Sequence, residues 1–178
     1  NHAAALALAA RARGVRAFIV MPENSPRVKQ DAVRSYGGEI IFCGNTQHDR
    51  ETAAAEVQRR SGATFIHPYN DARVIAGQGT CAKELMEDVP ELDYVLAPVS
   101  GGGLLAGTAL SAKALRPESS VIGCEPAEAD DAFRSLRDGF IHPAITPPRT
   151  ICDGLRTSLG ALTFPIIQER VAAIYTVQ

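Results

Sequence analysis

The 178 residues are 46% hydrophobic and 21% charged, enough apolar material for a packed core in one large or two small domains. A formal charge of −2 with both signs interspersed leaves no basic stripe for nucleic acid, and no apolar run approaches the roughly 18 residues of a membrane span. Four cysteines and four histidines are scattered without a C-x-x-C pair, so neither a disulfide framework nor a zinc cluster is indicated, and the expectation is a soluble, cytoplasmic protein.

A helix is predicted over 3–13, where Leu6 and Leu8 stand among alanines, with Asn1 able to cap it and Gly14 to end it. Residues 15–21 follow as a β-rich buried run. Ser25-Pro26 places a capping residue and a first-turn proline, and Val28, Ala32, Val33 and Tyr36 recur at helical spacing until Gly37-Gly38. A strand over 39–43, a helix over 49–60 with Ala53 and Val57 inward, and a strand over 63–67 continue the alternation. From Asp71 a helical stretch reaches Asp88 although it contains Gly77 and Gly79. Glycine inside a helix costs about 1 kcal/mol relative to alanine, so close approach of another backbone is expected there.

Next come a strand over 94–99, a glycine turn, a helix over 108–115 and a strand over 121–124 that runs into Glu125. A short helix from Asp130 or Asp131, a proline-rich connection over 142–148, a loop over 150–160, a helix over 162–170 and a strand over 171–177 complete the chain. Strands separated by helices in this way imply parallel sheets with helices on both faces, an α/β fold. The chain opens on a helical run without an initiator methionine and stops as a strand-like run ends, and it reads as part of something longer.

The segment Ser100-Gly101-Gly102-Gly103-Leu104-Leu105-Ala106-Gly107 joins a strand to a helix through three bare glycines. Backbone N–H groups can converge there with no Cβ in the way, and the helix adds the positive end of its dipole, so the turn suits a phosphate. One candidate is a dinucleotide, because Gly101-x-Gly103-x-x-Ala106 fits G-x-G-x-x-G/A and Glu125 stands about 20 residues on, where a ribose-binding acid is expected. That reading makes the chain a nicotinamide-dependent oxidoreductase. A non-catalytic cofactor-binding module is a third class.

The longer run Pro98-Val99-Ser100-Gly101-Gly102-Gly103-Leu104-Leu105-Ala106-Gly107 resembles the phosphate loop of fold-type II pyridoxal-phosphate enzymes, in the serine racemase and serine/threonine dehydratase (threonine ammonia-lyase) branch. Asn1-His2-Ala3 resembles the end of that branch's S-S-G-N-H-A/G motif. His67-Pro68, followed by Val74-Ile75-Ala76-Gly77-Gln78-Gly79-Thr80, is similar to the segment returning from the small to the large domain. Glu125-Pro126 with Ala129-Asp130-Asp131, then Asp153-Gly154-Leu155, complete the order. The resemblance implies a tryptophan-synthase-β-like fold of three layers. Residues 1–69 would be part of the small domain and 70–178 part of the large one, with pyridoxal 5'-phosphate and substrate between them.

It implies site residues as well. Asn1 and the loop residues Ser100, Gly101, Gly102, Gly103 and Leu104 would hold the cofactor, and His2, Arg50 and Thr157 the substrate. Arg50 is suited to clamp a carboxylate through two hydrogen bonds, which adds 3-hydroxyaspartate to serine and threonine as substrates. Glu125, the carbonyl of Ala129, and Asp131 would form a divalent-cation site, and such hard oxygen ligands suit Mg²⁺ or Ca²⁺.

The implied reaction is α,β-elimination of water to a 2-oxo acid and ammonia, with racemisation sharing its first step, in a homodimer acting on a small amino acid. The sequence departs from the branch at Ala4, Tyr69 and Ser100. The Schiff-base lysine and the acid/base serine are expected upstream of Asn1, so no catalytic residue is assigned within the chain. Lys29, Lys83 and Lys113 read as solvent-facing, and the 178 residues alone are expected to be inert.

Overall fold

The computed structural model describes residues 1–178, the side chain of Gln47 excepted. Contacts divide it into two units, Asn1–Ile66 and His67–Gln178, each with its own core.

In the first unit, alanine-rich α1 (His2–Ala12) turns Ala7 and Ala10 inward. The chain then enters β1 (Phe18–Pro22), α2 (Arg27–Ser35), β2 (Glu39–Cys43) and α3 (Gln47–Ser61). β1 and β2 pair in parallel from Phe18 opposite Glu39 to Pro22 opposite Cys43. Ile19 and Met21 of β1 alternate inward onto Ala7, Ala10 and Val33. The first strand begins at Phe18 rather than at 15, because Val15 lies exposed. Ser25 is not the cap of α2. The N-cap is Pro26, and the Ser25 carbonyl accepts from the Gln30 carboxamide at 2.9 Å. α3 starts two residues earlier than its apolar pattern indicates because of a reciprocal cap: Thr46 Oγ1 accepts from the Asp49 N–H, and Asp49 Oδ2 accepts from the Thr46 N–H, both at 3.0 Å. The strand expected over 63–67 does not form. Phe65 is half exposed, and no strand pairs with that segment.

The second unit runs α4 (Ala72–Asp88), β3 (Tyr94–Pro98), α5 (Gly103–Leu115), β4 (Ser120–Pro126), a short 3₁₀ turn (Ala127–Ala129), α6 (Asp131–Asp138), α7 (Thr163–Arg170) and β5 (Ala173–Val177). The strands form a parallel sheet in the order β3-β4-β5. Val95, Ala97, Val121 and Ile174 line one face and pack with Leu105, Ala109 and Ile167 into the larger core. α4 and α5 cross closely at glycine, as expected, but at Gly79 and not at Gly77. A Cβ on Gly79 would meet the Gly107 carbonyl oxygen at 2.9 Å, whereas one on Gly77 would meet nothing within 4 Å. Ser111 Oγ also donates to the Gly79 carbonyl at 2.7 Å.

Candidate functional site

β3 ends at Pro98, and α5 begins at Gly103, five residues before the helix start read from apolar periodicity. The glycines are the reason for that misreading, because their low helix propensity hides a first turn that Gly103 and Leu104 in fact occupy. Gly102 is the N-cap at φ +88°, a left-handed conformation that a side chain resists. The carbonyl of Gly101 is turned into the protein, accepting from Thr163 Oγ1 at 2.7 Å and from the Gly160 N–H at 3.2 Å. No acceptor among the described residues takes the N–H groups of Gly101, Gly102, Gly103 or Leu104. Four unsatisfied donors at a helix N-terminus are what an anion requires.

Ser100 does not lend its hydroxyl to that cradle. Its Oγ lies 3.0 Å from Thr157 Oγ1 and accepts from the Thr157 N–H at 3.1 Å, which ties the loop to a segment 57 residues away. Thr157 therefore sits at the loop, as a partner of Ser100. Thr163 and Tyr69 escaped the assignment of site residues, although both touch the loop. Thr163 is fully buried on the Gly101 carbonyl, and the Tyr69 ring lies against Gly101. The only local signal was Tyr69 standing where the resemblance has a smaller polar residue or phenylalanine.

Glu125 and Asp131 come together as a buried acidic pair, 3% and 2% exposed. Glu125 accepts from the Ala132 N–H at 3.0 Å through Oε1 and from the Phe133 N–H at 2.8 Å through Oε2, so it caps α6 from the preceding strand. At 3% exposure this carboxylate has no room for a ligand as large as a ribose, which leaves the dinucleotide reading without its acid, while the second lone pair on each oxygen stays open to an ion. Burial pushes the Glu125 carboxyl up to about 7, against the two N–H donors that pull it down. Asp131 is raised to about 6, also chiefly by burial. Its Oδ2 is buried with no hydrogen-bond partner among the described residues. Ala129, the other expected ligand, is buried in the 3₁₀ turn between them. Among the described residues no group of three or more His, Cys, Asp or Glu side chains is placed to hold a metal; the expected third donor here is a carbonyl.

In the first unit, Asn1 is the N-cap of α1 through its backbone, its carbonyl accepting from the Ala5 N–H at 3.1 Å. The side chain makes no capping bond. His2 Nε2 lies 3.1 Å from the Ile66 carbonyl oxygen, and as the donor of that bond it fixes the ring at the start of α1. Arg50, in the first turn of α3, is half-buried, and its Nε is buried without an acceptor among the described residues. That is unlike a solvated surface arginine. Lys83 is paired with Glu87 at 2.6 Å, and Lys113 donates to the carbonyls of Pro117 and Ser119 at 3.0 and 2.6 Å.

The pyridoxal-phosphate dependent enzyme family matches residues 1–178. The chain is 49% identical over 176 residues to a beta-hydroxyaspartate dehydratase of Paracoccus denitrificans, covering 99% of this chain and 56% of that relative. It superposes on the structure of maize serine racemase with a TM-score of 0.95 and 45% identity, covering 99% of this chain and 53% of the other. It superposes on the threonine deaminase of T.th. with a TM-score of 0.93 and 49% identity, covering 99% and 58%. The fold is that of these enzymes, and the chain spans little more than half the length of each.

Proposed function

The chain belongs to the pyridoxal-phosphate dependent enzyme family, and from that premise we propose that its parent protein eliminates water from serine, threonine or 3-hydroxyaspartate, releasing a 2-oxo acid and ammonia, with racemisation at the same carbon. The observation that carries this is the row of N–H groups from Gly101 to Leu104, without an acceptor among the described residues and standing at the start of α5. When bound, the cofactor supplies the electron sink for the charge left as the substrate Cα loses its proton. The protein's part is to hold and to orient. Backbone N–H groups of Ser100 to Leu104 hold the phosphate, while the Thr157 bond to Ser100 and the Thr163 bond to Gly101 stiffen the loop from behind. Asn1 would donate a carboxamide N–H to the cofactor's phenolic oxygen, and His2 and Thr157 would flank the substrate.

Arg50 takes the distal carboxylate of a dicarboxylic substrate, which its buried Nε, without an acceptor among the described residues, supports. A relative bearing the name beta-hydroxyaspartate dehydratase favours the same substrate class. Glu125, the Ala129 carbonyl and Asp131 suit a resident Mg²⁺ or Ca²⁺, because the orphaned Asp131 Oδ2 and the second buried carboxylate beside it call for a cation. We assign the covalent lysine to sequence outside these 178 residues, since Lys83 and Lys113 are committed to structural bonds and Lys29, on α2, falls in none of the motifs that carry the resemblance. Residues 1–69 and 70–178 are then parts of the small and large domains of a cytoplasmic homodimer, and the 178 residues alone do not turn over.

Titrating pyridoxal 5'-phosphate into the intact protein should produce a new absorption band at the edge of the visible. Serine, threonine and 3-hydroxyaspartate should then release ammonia and 2-oxo acid. Quenching of nicotinamide fluorescence without that band would replace this reading with the oxidoreductase one.

A further inference from the structure

The three glycines of the loop are hemmed in from two sides, and the sides differ. A Cβ on Gly102 would meet Ile167 Cδ1 and Thr163 Oγ1 at 2.8 Å and Leu159 Cδ2 at 2.9 Å, all from the core around α7. A Cβ on Gly101 would instead overlap the Tyr69 ring at Cδ1, Cγ and Cε1. A Cβ on Gly103 would meet Tyr69 again, its Cβ at 2.9 Å and its Cα at 3.1 Å. One residue thus fills the side-chain space of two loop positions. The turn that carries it is fastened at several points. His67 Nδ1 accepts from the N–H groups of Tyr69 and Asn70 at 3.2 and 2.8 Å, and the His67 ring meets the Tyr69 ring edge-on at 4.7 Å. The Asn70 carboxamide oxygen accepts from the Leu162 N–H at 2.7 Å. No hydrogen bond of the Tyr69 hydroxyl is formed within the protein among the described residues, so it is the ring that meets the loop.

The geometry points to Tyr69 as a positioning residue of the anion cradle: its ring backs Gly101, its Cβ and backbone back Gly103, and together they hold the N–H groups of both convergent before the ligand arrives. The assignment rests on reading this loop as the phosphate site. It also changes the reason for two of the glycines. Bare glycine in such a loop is commonly explained by the close approach of the ligand, yet here the missing Cβ atoms at 101 and 103 are directed at Tyr69. The two explanations separate in a double substitution. If the ligand needs the space, shortening Tyr69 does nothing for alanine at 101; if Tyr69 occupies the space, shortening it restores the loop.

The test uses Gly101→Ala, Tyr69→Ala, the two combined, and Tyr69→Phe in the intact protein. Each is assayed for the Kd of pyridoxal 5'-phosphate by absorption and for Tm without cofactor. Gly101→Ala should weaken cofactor binding about 100-fold and Tyr69→Ala about 10-fold, with the combination no weaker than Tyr69→Ala and Tyr69→Phe within about 2-fold of wild type. A combination weakened by the product of the two, about 1000-fold, would mean independent effects and overturn the assignment. Where Gly101→Ala alone fails to fold, recovery of a cooperative Tm in the combination supports it and failure of both overturns it. Wild-type protein that binds neither cofactor nor inorganic phosphate removes the cofactor reading and this assignment together, whereas wild-type binding with no rescue removes the Tyr69 role alone.

Discussion

Single residues divide here between those whose chemistry declared itself and those whose surroundings decide their role. Arg50 is named by its charge, but only the burial of its Nε argues for a carboxylate partner. Arg50→Lys should lower kcat/KM for 3-hydroxyaspartate by about 100-fold and leave serine within a few-fold, because lysine keeps the charge and loses the two-pronged geometry. Equal losses on both substrates would remove the clamp. Asp131 carries the second residue-scale expectation. Millimolar Ca²⁺ or Mg²⁺ should raise the Tm of the wild type, a chelator should reverse the rise, and Asp131→Asn should abolish it. A shift that survives the substitution would place the cation elsewhere.

Among the elements, α4 shows most plainly how context overrides residue type. Gly77 and Gly79 are two positions apart in one helix, and their surroundings are opposite. Gly77→Ala should stabilise the protein by about 0.5–1 kcal/mol, since nothing stands within 4 Å of the new methyl and alanine is the better helix former. Gly107→Ala, on the facing helix, would place its methyl 2.5 Å from Gly79 N and from the Ile75 carbonyl oxygen, where both neighbours are backbone. A cost of about 3 kcal/mol follows, or roughly 6–12 °C in Tm. The start of α4 adds a pH dependence. The Asp71 carboxyl is drawn down to about 2, first by its hydrogen bonds to the Arg73 side chain and then by the Arg73 N–H. Its folded value lies below its unfolded one, so its contribution is present above about pH 4 and is lost as the pH falls toward 2. Asp71→Asn should keep the cap and flatten the acid side of the Tm profile over that window, a difference readable by thermal melts.

At the scale of the whole molecule, the parallel sheet β3-β4-β5 is buried on one face and open on the other. Tyr94 and Leu96 of β3 and Tyr175 and Val177 of β5 are all more than half exposed. Parallel sheets are ordinarily covered on both faces, and a contiguous apolar surface of this kind promotes association. The 178-residue chain should therefore bind a hydrophobic dye and sediment as more than a monomer, and Leu96→Lys with Tyr175→Lys should reverse both. An unchanged sedimentation profile would show that the open face is tolerated. Among the described residues, no helix is long and apolar enough to cross a membrane.

Composition and local pattern were sufficient for the alternation of strands and helices and for the glycine turn after β3, because both are expressed at spacings of a few residues. The segment over 63–67 shows the limit of that information: it has the residues of a strand but no strand to pair with. Tertiary structure alone decided that Glu125 caps α6, that Ser100 is held by Thr157 and Gly101 by Thr163, and that Tyr69 backs the loop. The Ser100 and Gly101 contacts join residues 57 and 62 positions apart. Whether a hydroxyl faces an anion or a neighbouring backbone depends on which distant segment packs beside it, and no local spacing encodes that.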